Sequence, residues 1–354
     1  MSNSKITARI AFLDYLRIFA FVSVLIGHKY YPALSAAAAN NKLHATLRLF
    51  FEYLMPFVFN GGAGVIIFFL VSGYIISEVL ASEQPTSFLI RRIFRIYPLY
   101  ITAVLIQIIV QNNWGSLSLT ILVPQLLLIG DFFGTPYTLT GVEWTLRVEI
   151  IFYIFMAILR ASGFWGARKH LLIIVLLITT VLIGQLPAFP DGPNVLKGYF
   201  LIYGPFLFIG TGFWLYEQDW INFGWLLTLI CTVFANYFYL ISSYQPYWLP
   251  TQFAVLGFLL FTITWIFRAR FQSTTSILLL SDLTYSVYLF HKWMFDYFRD
   301  SIIKILPSIQ SPDILALMPL FIFCFVLHRI IERPANKFGR AITIKHFKEV
   351  REAK

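Results

Sequence analysis

One feature limits this chain more than any other: stretch after stretch of about 17 or more apolar residues, parted by short segments of Pro, Gly and charge. Coiled into helices at about 1.5 Å per residue, runs of this length match the hydrocarbon thickness of a bilayer. With 58% hydrophobic and only 12% charged residues, the 354-residue chain departs too far from globular usage for a water-soluble core. The expectation is an all-α, polytopic membrane bundle in one domain over residues 1–334, followed by a basic cytoplasmic tail at 335–354.

Reading the apolar runs against their punctuation predicts about ten spans, near residues 10–32, 57–80, 97–113, 143–160, 171–187, 198–216, 221–241, 250–267, 277–296 and 314–332. A further segment near 117–133 has an apolar part of only about 14 residues and contains Pro124, so it reads as re-entrant. Charge supports that reading. If the segment does not cross, one side collects Lys5, Arg9, Arg91, Arg92, Arg95, Arg160, Arg168, Lys169, Arg268, Arg270 and the cations from Arg329 to Lys354. The other side keeps Lys42, Arg48, Lys197, Arg299 and Lys304. If it crosses, every later loop flips and the excess moves outside, against the positive-inside rule. Both termini are therefore expected in the cytoplasm, with the protein integral to the plasma or inner membrane. The Ala33–Ala39 stretch only loosely imitates a signal-cleavage site, so residues 10–32 read as a retained first helix.

The net charge of +10 comes as short clusters between apolar runs rather than as a basic stripe, which argues against a nucleic-acid partner. Cys231 and Cys324 each lie inside an apolar run, so neither a disulfide framework nor a thiolate metal site is expected, and no metal is.

Ionisable residues within spans are costly, about 2.5–3.5 kcal/mol at a helix centre on insertion scales, which makes them the first places to seek function. Arg17 and His28 are spaced within about 20° of a whole number of helical turns and about 16 Å apart along the axis. They share one face that links the two leaflets. Arg17 could equally pair with Asp14 at i,i+3, and His28 could simply bond a neighbouring helix. In the fourth span Glu143 and Arg147 stand at i,i+4 in the favourable order, leaving Glu149 in need of a cation or histidine from another helix. Arg91, Arg92 and Arg95, followed by Tyr97-Pro98, either anchor the third span at the interface or bind phosphates, for which guanidinium forks are suited. Thr284-Tyr285-Ser286 with Tyr288 and His291 reads in isolation as helix-packing glue.

In sequence order these stretches resemble the acyltransferase 3 family of membrane O-acyltransferases. Phe12-Leu13-Asp14-Tyr15-Leu16-Arg17 with Gly27-His28 is similar to the family's opening helix, and Phe68-Phe69-Leu70-Val71-Ser72-Gly73-Tyr74 to its second-helix signature. Arg92, Arg95 and Tyr97-Pro98 fit its Arg-rich motif, and Trp144-Thr145-Leu146 with Glu149 and Phe152-Tyr153 its Trp-Ser-Leu-x-x-Glu segment. Tyr285, Tyr288 and His291 fit its Ser-Tyr-x-x-Tyr-x-x-His element, and Glu332-Arg333-Pro334 its ending. The match departs at Thr145, where the family has Ser, and at Arg147, where it has a small polar residue.

The resemblance implies transfer of an acyl group, acetyl or another short acyl, from cytoplasmic acyl-CoA to a hydroxyl of an envelope or exported glycan or glycolipid. It implies His28 as general base, Glu149 as its orienting carboxylate and Arg17 as a guide for the thioester. It also implies Arg92, Arg95 and Tyr97 with Arg17 as cofactor ligands, and Asp14, Trp144, Tyr285, Tyr288 and His291 as residues lining the acceptor site. A transporter or flippase of a lipid-linked sugar is the reading from another class, with the Arg17–His28 stripe as its path. Oligomeric state is not legible.

Overall fold

The computed structural model of the chain describes residues 10–111, 118–193 and 196–352, with side chains described as far as Ile344. Lys5, Arg9 and residue 117 lie outside the described residues, and the side chains of the cations beyond Ile344 lie outside the described side chains. Among the described residues every regular element is a helix. In chain order they are α1 (Ala11–Lys29), α2 (Tyr31–Ala39), α3 (Ala45–Val58), α4 (Gly62–Ser82), α5 (Pro85–Val110), α6 (Leu119–Leu126), α7 (Trp144–Ala161) and α8 (Leu172–Gly184). There follow α9 (Tyr199–Tyr203), α10 (Phe206–Glu217), α11 (Phe223–Tyr244), α12 (Phe253–Ile266), α13 (Thr275–Phe290), α14 (Trp293–Ile305), α15 (Pro312–Leu327) and α16 (Arg333–Glu352).

Six helical stretches among the described residues are long and apolar enough to cross a membrane: Ala11–Lys29, Ala45–Ser82, Pro85–Val110, Tyr199–Glu217, Phe223–Tyr244 and Pro312–Ile344. The other four expected spans correspond to helices that fall short for visible reasons. α7 carries Arg147, Glu149 and Arg160, whereas α8, α12 and α13 are apolar but shorter. The segment near 117–133 forms the eight-residue α6, a left-handed residue at Leu128 and a 3-10 turn at Gly130–Phe133. Eight residues rise only about 12 Å, so α6 cannot span.

Three features depart from the expected outline. Helices α2 and α3 occupy the stretch between the first two spans that was read as a loop. The run at 277–296 breaks after Phe290, and the amphipathic α14, with Asp296, Arg299, Asp300 and Lys304, begins at Trp293. The basic end of the chain, expected only as a tail, is helical over α16.

The chain divides into two compact units, Met1–Ser82 with Ser162–Thr284 and Glu83–Ala161 with Tyr285–Lys354. In the first unit α1 runs antiparallel to α4, the Phe12 and Tyr74 rings meeting at 5.8 Å at one end. At the other end Gly27 lies against the Val58 carbonyl and the Gly61 backbone, an approach that a Cβ would block. The Ser-Gly-Tyr signature of α4 has the same use: Gly73 touches the Leu207 carbonyl, and Gly210 touches that of Leu70. In the second unit α5 packs on α7, with Phe88 edge-on to Tyr153 at 5.8 Å, and on α16, with Phe94 edge-on to Phe338 at 5.3 Å. Tyr100 donates to the Gln125 carbonyl at 2.8 Å and holds α6 in place.

Candidate functional site

Each unit holds part of the expected site. In the first, α1 is unbroken from Ala11 to Lys29, so the predicted stripe exists. At 100° per residue the buried positions of α1 sweep one broad arc, and Phe21 and Val24, themselves buried, bracket the direction shared by Arg17 and His28. The stripe lies on the buried side of α1, and both side chains remain half-buried rather than sealed. Arg17 lies 3.8 Å from the Asp14 carboxylate, so the local pair forms. Asp14 is fully buried and accepts a hydrogen bond from Ser281 at 2.6 Å, which ties α1 to the first turns of α13.

The second unit gathers four of the six motifs. Arg92 sits over the Phe88 ring at 5.2 Å and the Tyr153 ring at 5.7 Å. Its Nε is buried with no hydrogen-bond partner among the described residues. Glu149, buried on α7, bonds the Tyr153 hydroxyl one turn on and lies within electrostatic reach of Arg92. The carboxylate that the sequence leaves without a local partner therefore sits among a tyrosine and a guanidinium, on the wall where α5 meets α7. Arg95 is half-buried one turn after Arg92, whereas the Tyr97 hydroxyl donates to the Leu127 carbonyl at 3.2 Å. Trp144 opens α7 half-buried.

The tyrosine element of α13 is engaged by protein. Tyr285 donates to the Ile96 carbonyl at 2.8 Å, and Tyr288 donates to the Val142 carbonyl at 2.7 Å and meets the Thr145 hydroxyl at 2.6 Å. His291, 1% exposed, holds the Tyr288 carbonyl through Nδ1 at 2.7 Å. As found, these groups fasten α13 to α5 and α7, the reading that the stretch carries in isolation.

Three polar clusters escaped the sequence reading. Arg147 forms its close ion pair with Asp131 of the 3-10 turn, at 2.5 Å and almost fully buried, under the ring of Tyr137. Glu143, expected as its partner, accepts the Leu139 N–H at 3.1 Å ahead of α7. Glu332 joins His328 at 3.0 Å and Ser286 at 2.9 Å, where a π-helical turn at His328–Glu332 links α15 to α16. In the first unit Glu217 accepts from Tyr74 at 2.8 Å, Trp265 at 2.9 Å and Arg268 at 3.3 Å, with Trp214 bonded to Glu78 at 2.7 Å nearby. Glu78 and Glu217, acids at the ends of apolar runs, carried the signal that singled out Glu149. The pair of Arg147 with Asp131 carried none, because its partners are 16 residues apart across a turn. No three His, Cys, Asp or Glu side chains among the described residues gather as a possible metal-binding group.

Residues 10–338 match a family model described as an acyltransferase domain. The chain is also similar to Nodulation protein 10 of Rhizobium leguminosarum bv. viciae, 25% identical over 232 residues, an alignment covering 58% of this chain and 57% of that protein. The chain thus spans a little over half the length of this curated relative. No solved structure matches it.

Proposed function

Since the chain belongs to the acyltransferase 3 family, as the match over residues 10–338 shows, we propose that it is an O-acyltransferase working within the membrane. The group moved is acetyl or a similar short acyl, the donor is cytoplasmic acyl-CoA, and the acceptor is a hydroxyl of an envelope or exported glycan. The observation that supports this reading is the stripe of α1, where Arg17 and His28 share the buried side of one unbroken helix and are both half-buried.

In this scheme Arg92 and Arg95 hold the cofactor's phosphates. A buried guanidinium N–H without a partner costs about 1–3 kcal/mol, a cost that a phosphate bound at Nε would remove from Arg92. Arg17 steers the thioester oxygen, which gains negative charge as the carbonyl is attacked. His28, whose ordinary pKa lies near neutrality, takes the proton of the acceptor hydroxyl as its oxygen attacks the acyl carbon. The C–S bond then breaks, and the leaving thiolate receives that proton from the imidazolium. Glu149, held beside Tyr153 and Arg92 in its own unit, is assigned the supporting carboxylate's part that the resemblance implies. Asp14 acts by fixing Arg17, and Trp144, Tyr285, Tyr288 and His291 shape the wall against which the acceptor rests.

The test is transfer of labelled acetyl from acetyl-CoA to envelope glycan by the reconstituted protein. Wild type should leave ester-bound label, and His28→Ala should lower the rate by about 10²–10⁴-fold, the usual worth of general acid–base catalysis. A His28→Ala protein that transfers at the normal rate sinks the scheme. Sugar translocation without acyl-CoA would establish the transporter reading in its place.

A further inference from the structure

The end of the last apolar run presents a charged surface that the transfer chemistry leaves unused. From Pro312 to Glu332 the chain is continuously helical and rises about 31 Å, close to the hydrocarbon thickness of a bilayer. A bilayer crossed by that stretch would have its headgroup edge at the start of α16. One face of it is docked. Gly339 lies flat on Phe94, and Arg91 donates to Thr343 at 3.0 Å while pairing with Glu83 at 2.5 Å. On the other side Arg333, Lys337, Arg340 and Ile344 follow one another at i, i+4, i+7 and i+11, all exposed, within a sector of about 60°. Apolar side chains accompany the cations: Ile344, 57% exposed, lies in the stripe, Ile330 just before α16 is 62% exposed, and Phe338, though its ring meets Phe94 edge-on, is still 59% exposed.

We propose that α16 is an interfacial helix that binds the headgroups of anionic phospholipids. Arg333, Lys337 and Arg340 take the phosphates, and Phe338 and Ile344 settle at the boundary of the acyl chains. Two features favour lipid over a soluble polyphosphate. The stripe is a convex helix surface, whereas a dissolved phosphate ester needs donors that converge on it. Exposed Phe and Ile beside the cations are unfavourable in water and favourable in the interface, the combination that defines amphipathic membrane-surface helices. Through Thr343 the docked face also holds Arg91, so lipid on one side of α16 steadies the Arg-rich start of α5 on the other.

The test uses the full chain with Ala341→Cys in a Cys231→Ser background, labelled with bimane, in phosphatidylcholine nanodiscs. A minority lipid, either phosphatidylglycerol or phosphatidylcholine, carries brominated chains. Brominated phosphatidylglycerol should quench as though enriched about fivefold or more over its bulk share, since a single cation near an anionic surface already gives about that factor. Molar salt and the combined Arg333→Gln, Lys337→Gln, Arg340→Gln substitution should return quenching to the bulk value. If the combined variant does not fold, Lys337→Gln and Arg340→Gln are read singly, each expected to lower the enrichment by about the fivefold that one cation contributes. Equal quenching by both lipids, or quenching indifferent to the substitutions, overturns the proposal. So does its relief by pyrophosphate at matched ionic strength, which would make the stripe a site for soluble phosphate.

Discussion

Arg147 and Asp131 form a contact that side-chain chemistry makes expensive to break. Both are nearly out of solvent, and Gly130 leaves room for the guanidinium beside its backbone. Removing one partner of a buried ion pair leaves an uncompensated charge and costs about 3–5 kcal/mol, while replacing both with apolar groups of similar volume is often near neutral. Asp131→Asn and Arg147→Met should therefore each lower the thermal midpoint in detergent by several degrees, and Asp131→Leu with Arg147→Met should recover much of the loss. Equal losses in the singles and the double would assign the pair no such role. Ser281 makes a milder case. Its hydroxyl bonds Asp14, so Ser281→Ala should cost about 1–3 kcal/mol, the price of a buried carboxylate losing a donor, and should act on transfer only through Arg17.

Among the elements, α4 and α10 show why two glycines recur where they do. Gly73 and Gly210 bring the two backbones together so closely that the Cβ of any other residue would meet a carbonyl of the facing helix. In a membrane, where apolar side chains gain little from leaving lipid, such close packing is a main source of helix association. Gly73→Leu should push α4 and α10 apart and lower the thermal midpoint more than Gly134→Ala, because Gly134, although it adopts φ +62°, has open space beside it. The same midpoint for both variants would count against backbone contact as the organising force. At α13 the tyrosines are spoken for by α5 and α7. Tyr285→Phe should accordingly show up first in stability and only second in transfer rate.

For the molecule as a whole, topology is the measurable quantity. Accessible cysteines placed at Arg168 and Arg270 should react with an impermeant maleimide from the same side of sealed vesicles, and one at Lys42 from the opposite side. Labelling of all three from one side would overturn the ten-span scheme. The membrane class and the helical fold were legible from the chain alone, because run length and composition are local and lipid tolerates few alternatives. The Arg17–His28 stripe was legible for the same reason, since helical geometry converts a spacing of eleven residues into a shared face. Long-range partnership was not legible. That Arg147 pairs with Asp131, that Glu332 joins Ser286, and that the basic end of the chain docks as a helix on Phe94 all follow from which surfaces meet in space. Hydropathy and periodicity describe each segment by itself, and only the tertiary structure, by burying one segment's charge against another's, decides which partner it receives.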